Sequence, residues 1–155
     1  MYPEAIEYGI KEENGATFYY SKVSEKQHCS SEFEESSLII SRHYSWIGAS
    51  LDGIRKCLWC DPTAVEIKCS FKGKYLDPKI AFLLPSAGGK KDKDGKYFLE
   101  ENHLDYFQVQ TGIAVSGLKT CDFVTYTSKG IVVVKINFNA NFLGNCCGNS
   151  LQNLV

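Results

Sequence analysis

The apolar positions of this chain follow two periods, one helical and one alternating, and the switches between them mark its elements. Over residues 3–20, Ala5, Tyr8, Ala16, Tyr19 and Tyr20 keep roughly to one face, which predicts a helix. Pro3 opens it, and Glu4 and Glu7 lie where free N–H groups favour negative charge. Gly9 and Gly15 weaken the helix, each costing about 1 kcal/mol relative to Ala. Residues 21–37 are polar and acidic and predict a loop or a weak hairpin. Residues 38–40 and 46–50 then read as two strands about a turn at 42–45. A central strand follows over 64–69. Beyond it come a short helix over 77–84, a polar Gly- and Lys-rich loop over 86–96 and a strand over 96–100. Leu104, Phe107, Gln108, Thr111 and Val115 recur at helical spacing, with Gly117 as a stop. Strands over 121–126 and 131–138 flank the turn Thr127-Ser128-Lys129-Gly130. Helix, strands, helix, strands in that order predicts an α/β fold, a central mixed β-sheet flanked by helices, in one domain over residues 1–138. Residues 139–155 are small and polar and are expected to form a loosely packed C-terminal tail.

Composition narrows the function classes. The formal charge of −1 excludes an overall basic field, so any nucleic-acid footprint must be local. No apolar run approaches the length of about 18 residues that a membrane span requires, which points away from a membrane. Seven cysteines behind an N-terminus with neither a basic nor an apolar segment predict an intracellular protein with reduced thiols, nuclear or cytoplasmic. Cys57-Leu58-Trp59-Cys60 is a CxxC, and His28, Cys29 or the Cys146-Cys147 pair would complete a zinc site. Without a second properly spaced pair, free thiols are the expectation.

The chemistry concentrates between residues 47 and 68. In Val65-Glu66-Ile67-Lys68 a carboxylate and an amine occupy alternate positions, so both leave one face of a strand. Asp52, delivered by the Asp52-Gly53 turn, converges on the same spot, and two acids with one amine make the chemistry of a divalent-metal site for phosphodiester cleavage. An ordinary half-exposed strand has the same alternation, so periodicity leaves both readings open. Lys72, Lys74 and Lys119 lie near these strands and are candidate phosphate contacts. Lys90, Lys91, Lys93 and Lys96 are interrupted by aspartates and read as a solvated loop. Gln110 reads as a surface residue, and neither Arg42 nor Arg55 is assigned a partner.

Five segments stand in order along the chain: 48–53, Val65-Glu66-Ile67-Lys68-Cys69, Tyr106-Phe107-Gln108-Val109-Gln110, residues 119–124 and Ser128-Lys129-Gly130. Together they resemble the YqaJ-type viral recombinases, relatives of the phage lambda exonuclease within the PD-(D/E)XK nuclease superfamily, over residues 5 to 138. Gly9, Glu13 and Ala16 are similar to the spacing of a family helix whose acid faces the metal site, while Glu12 stays on the solvated side. The resemblance implies a restriction-endonuclease-like core and a metal-dependent deoxyribonuclease, an exonuclease on duplex ends in recombination or in viral or mobile-element DNA processing. The alternative is a catalytically weak or truncated DNA-binding or assembly module of the same fold. Asp52, Glu66, the carbonyl of Ile67 and Glu13 are the implied ligands for one or two Mg²⁺ or Mn²⁺ ions. Lys68 orients the attacking water, and Gln108 contacts that water or the scissile phosphate. Duplex DNA with ends, a homo-oligomer like the family's trimer and a recombination partner protein are the implied partners. Leu51 stands where the family has Pro, and the family's earlier segment for a DNA-end phosphate has no counterpart ahead of Glu4, which implies a fragment or another way of handling ends.

Overall fold

The computed structural model describes residues 3–42 and 45–147; the expected turn at 42–45 and the end of the tail lie partly outside them. In chain order the elements begin with helix α1 (Glu4–Gln27) and strands β1 (Glu32–Glu35), β2 (Leu38–Ile40), β3 (Gly48–Ser50), β4 (Gly53–Lys56) and β5 (Thr63–Cys69). Next are helix α2 (Pro78–Phe82), strands β6 (Gly89–Lys91) and β7 (Tyr97–Leu99), and helix α3 (Leu104–Ser116). Strands β8 (Thr120–Thr127) and β9 (Gly130–Asn137) and helix α4 (Ala140–Cys147) complete the described chain.

Five strands form the central sheet in the order β1-β4-β5-β8-β9. Only the pairing of β5 with β8 is parallel, and α3 lies on the long crossover such a pairing requires. Its register sets Glu66 beside Phe123 and Lys68 beside Thr125 on one face, and Val65 beside Asp122 on the other. Tyr20 of α1 packs with Val65 and Val124 on that second face. The larger core fills the first, where Val109 and Ile113 of α3 meet Leu51, Ala64, Phe82 and Phe123. This is the mixed, helix-flanked sheet the sequence predicts. No helix among the described residues is long and apolar enough to cross a membrane.

Several local expectations are corrected. The first helix runs to Gln27, well past residue 20, because Tyr20 and Ser24, four apart, are both buried beneath it. Within the expected loop over 86–96, β6 pairs antiparallel with β7, and the Asp92 carboxylate tightens their turn by accepting the N–H groups of Asp94 and Lys96, each at 2.9 Å. Residues 140–147 form α4 instead of a loose tail: Leu143 is buried, and the Phe142 ring meets Tyr106 edge-on at 4.8 Å between centroids. Cys57 and Cys60 are joined as a disulfide, against the expectation of free thiols.

Candidate active site

The site forms where β5 loses one neighbour. Strand β4 accompanies β5 only as far as Gly53 opposite Val65, after which the chain turns through Asp52. Asp52 takes over the pairing: its backbone N–H donates to the Val65 carbonyl at 3.2 Å, and its carboxylate Oδ2 accepts the Ile67 N–H at 2.6 Å. The side chain is thereby fixed against the strand that carries Glu66. Leu51, buried against α3, anchors the turn from beneath. A Cβ on Gly112 would come within 2.6 Å of Leu51 Cδ2, so α3 needs glycine there to let this anchor in. Leu51 therefore holds the turn rigidly against α3.

Glu66 projects toward α3 and is 4% exposed. Gln108 donates its Nε2 to Glu66 Oε1 at 2.8 Å, Lys68 Nζ lies 2.9 Å from the same oxygen, and Lys68 also donates to Gln108 Oε1 at 3.0 Å. The three side chains close a ring. Asp105, one helical turn before Gln108, adds a second carboxylate 3.6 Å from Lys68. Nothing in the sequence reading singled out Asp105; its spacing of three from Gln108 is the signal that would have found it.

The charges do not balance, since three carboxylates share one ammonium. Burial pushes the Glu66 carboxyl up to about 7, Lys68 pulls it down and Asp52 pushes it further up. Asp52 is raised as well, by burial first, against the Ile67 N–H and the Lys68 charge. Burial works against the Lys68 ammonium, but the charge and hydrogen bond of Glu66, followed by Asp105 and Asp52, hold its pKa above the ordinary lysine value. Both contacts to Glu66 fall on Oε1, and Asp52 uses Oδ2, so each acid keeps an oxygen uncommitted among the described residues. Two raised carboxylates with free hard oxygens fit Mg²⁺ or Mn²⁺. A cleft of about 250 Å³ opens beside Lys68 and Asp105, lined also by Ser70, Lys72, Ser86 and Thr125. A wider groove of about 720 Å³ over β9 has one acid, Glu101, among its lining residues and no comparable cluster.

Glu13 is exposed on α1, and no hydrogen bond or ion pair among the described residues joins it to Asp52, Glu66 or Lys68. It stands near their end of β5 all the same: burial, then the charges of Glu12, Asp52 and Glu13, push the Cys69 thiol up to about 11. The solvated member of the Glu12-Glu13 pair is thus Glu13, and Glu12 is half-buried. Lys119 is not a neighbour of the site. It precedes the start of β8, six residues before the partner of Lys68 and on the order of 20 Å away along the strand, and it pairs with Asp61 at 3.2 Å. Lys72 lines the cleft, whereas Lys74 stands over the ring of Phe71 at 4.9 Å. Phe107 packs on Phe142, and Tyr106 is buried in the core. Gln110 is fully buried, donating to the Asn137 carbonyl at 2.9 Å and accepting the Asn139 N–H at 2.7 Å, which corrects its surface reading. Arg55 is buried against Asp122.

The fold has solved counterparts. The crystal structure of LHK-Exo in complex with dAMP superposes with a TM-score of 0.68 at 20% identity, over 99% of this chain and 68% of that one. The crystal structure of an alkaline exonuclease (LHK-Exo) from Laribacter hongkongensis gives a TM-score of 0.65 at 20% identity, over 99% of this chain and 66% of that one. The chain thus spans about two thirds of the length of these neighbours. No protein of curated function matches the sequence. The model of the YqaJ-like viral recombinase domain matches residues 2–119, the stretch that carries Asp52, Glu66, Lys68 and Gln108, and the chain belongs to that family.

Proposed function

We propose that the chain is a metal-dependent deoxyribonuclease that hydrolyses DNA phosphodiester bonds, acting as an exonuclease from duplex ends. The observation that carries this reading is the buried Glu66, raised to about 7 and ringed by Lys68 and Gln108 beside Asp52. Membership of the recombinase family and the fold shared with an alkaline exonuclease support it.

Asp52, Glu66 and the carbonyl of Ile67 would hold Mg²⁺ or Mn²⁺, with Glu13 as a further carboxylate for a second ion. When bound, the ion supplies Lewis acidity toward a phosphoryl oxygen and acidifies water. Lys68 remains an ammonium at neutral pH because the acids around it keep its pKa raised, so it positions the attacking water and stabilises charge without acting as the base. Gln108 holds Lys68 and Glu66 in one ring of hydrogen bonds and offers its amide to the phosphate or water entering the cleft. Lys72 contributes a cation at the rim for the DNA backbone.

The test is release of label from end-labelled linear duplex DNA with Mg²⁺ or Mn²⁺. The wild type releases label, and Glu66→Ala and Lys68→Ala lower the rate by about 10²- to 10³-fold or more. Equal release by all three proteins would sink the assignment. DNA binding with no release by the wild type would replace it with the assembly-module reading.

A further inference from the structure

At the end of β5 opposite Glu66 and Lys68, a second cluster of chemically active side chains comes together from separate parts of the sequence. His28 caps the C-terminus of α1, and Cys57 and Cys60 lie on the loop between β4 and β5. One ligand atom from each of the three lies within 4.8 Å of the others, and His28 Nδ1 is 3.4 Å from Cys60 Sγ. We propose that His28, Cys57 and Cys60 form a Zn²⁺ site when the cysteine pair is reduced, with the fourth position open to water.

Three features of the cluster support a metal over an inert bridge. A disulfide spanning three residues closes a very short loop and therefore restrains little of the unfolded chain, whereas an ion shared with His28 ties α1 to a segment about thirty residues away. The Cys60 N–H donates to Cys57 Sγ at 3.0 Å, and Arg55 Nη1 lies 3.9 Å from Cys60 Sγ, so both sulfurs already face hydrogen-bond donors. His28 Nδ1 already stands 3.4 Å from Cys60 Sγ, close to the roughly 3.5 Å between neighbouring ligands of a tetrahedral ion given Zn–S near 2.3 Å and Zn–N near 2.0 Å, whereas the two sulfurs are bonded in the oxidised pair and part on reduction.

The conversion balances. A dithiol reductant passes two electrons and two protons to the Cys57–Cys60 disulfide and is itself oxidised to a disulfide. The two thiols then bind Zn²⁺ as thiolates beside neutral His28 and release two protons. The site lies away from the carboxylates of the proposed nuclease centre, and its chemistry is soft where theirs is hard.

The test uses the full chain carrying Glu66→Gln, so that the carboxylate site does not compete, after reduction with a dithiol under anaerobic conditions. Co²⁺ serves as the probe. One equivalent should develop thiolate-to-metal charge transfer with tetrahedral visible bands, which Zn²⁺ abolishes, and oxidised protein should show neither. Cys57→Ser should remove the bands, and His28→Ala should weaken Co²⁺ binding by about tenfold or more. Because these variants can also disturb folding, Zn²⁺ protection of the unsubstituted cysteines is read alongside: the ion should shield Cys57 and Cys60 from alkylation while exposed Cys29 reacts as before. No charge-transfer band in the reduced protein, or equal alkylation of Cys57 and Cys60 with and without Zn²⁺, would overturn the proposal.

Discussion

Two polar clusters sit back to back on the central sheet, and they are built on opposite principles. On the α1 face, Asp122 Oδ2 accepts the Tyr20 hydroxyl at 2.7 Å and Arg55 Nε at 3.2 Å. One acid meets one cation and one neutral donor there, and both charged side chains are almost wholly buried. Burial and then the Asp122 charge push the Tyr20 phenol up, so it stays a donor. On the α3 face, Asp52, Glu66 and Asp105 surround the single ammonium of Lys68, and both Asp52 and Glu66 are raised. The first cluster is electrically complete and closes the sheet against a helix. The second is short of positive charge and opens on a cleft, which is the condition of a site awaiting a cation and an anionic substrate. A buried ion cluster is therefore not evidence of function by itself; the sign of its unmatched charge is what separates these two.

The contrast breaks most severely at Arg55. Arg55→Met leaves Asp122 buried without its cation and should cost about 3–5 kcal/mol in denaturant unfolding, the usual penalty for stripping one partner from a buried pair. A loss below about 1 kcal/mol would mean that the α1-face cluster is not the closed structural unit described.

A smaller effect of opposite sense is expected at Glu66. Its folded pKa of about 7 lies above the ordinary 4.5, so its contribution to metal-free stability is fully present below about pH 4.5 and is lost as pH rises through 7. In chelator, wild type should lose on the order of 3 kcal/mol relative to Glu66→Gln across that window, read as the difference between their melting curves. Parallel pH dependences for the two proteins would show that Glu66 carries no buried electrostatic debt.

The smallest expected effect concerns the DNA grip. Lys72→Ala should weaken duplex binding uniformly across sequences and flatten the salt dependence by about one counterion. Lys119→Ala, at the far end of β8 and already paired with Asp61, should change neither. Equal losses from both would place the DNA track elsewhere.

What could be read in the sequence was what depends on local order. The alternation of Glu66 and Lys68 and the turn at Asp52 gave both the strand and the acid–amine cluster. The recurrence from Leu104 to Val115 gave the helix that carries Gln108. Position across the fold was less accessible. Residues 21–27 look like a polar loop, and they stay helical because Tyr20 and Ser24 are held beneath α1 by the sheet. Gln110 looks like any exposed amide, yet its two partners, Asn137 and Asn139, are more than 25 residues away and become visible only when β9 returns beside α3. Lys119 is close to the motif strands in sequence but lies at the wrong end of a parallel pair, which strand direction alone decides. His28 and the CxxC share no local pattern; α1, running its full length to Gln27, brings its C-terminal cap to the β4–β5 loop.

The central claim is that the α3-face cluster is kept short of positive charge for a divalent ion, and its most direct test is the Mn²⁺ dependence of the melting temperature at pH 8. Wild type should gain about 2–3 kcal/mol of stability at Mn²⁺ one hundred times its dissociation constant, with most of that gain lost in Glu66→Gln. An equal Mn²⁺ shift in both proteins, or none in the wild type, would contradict it.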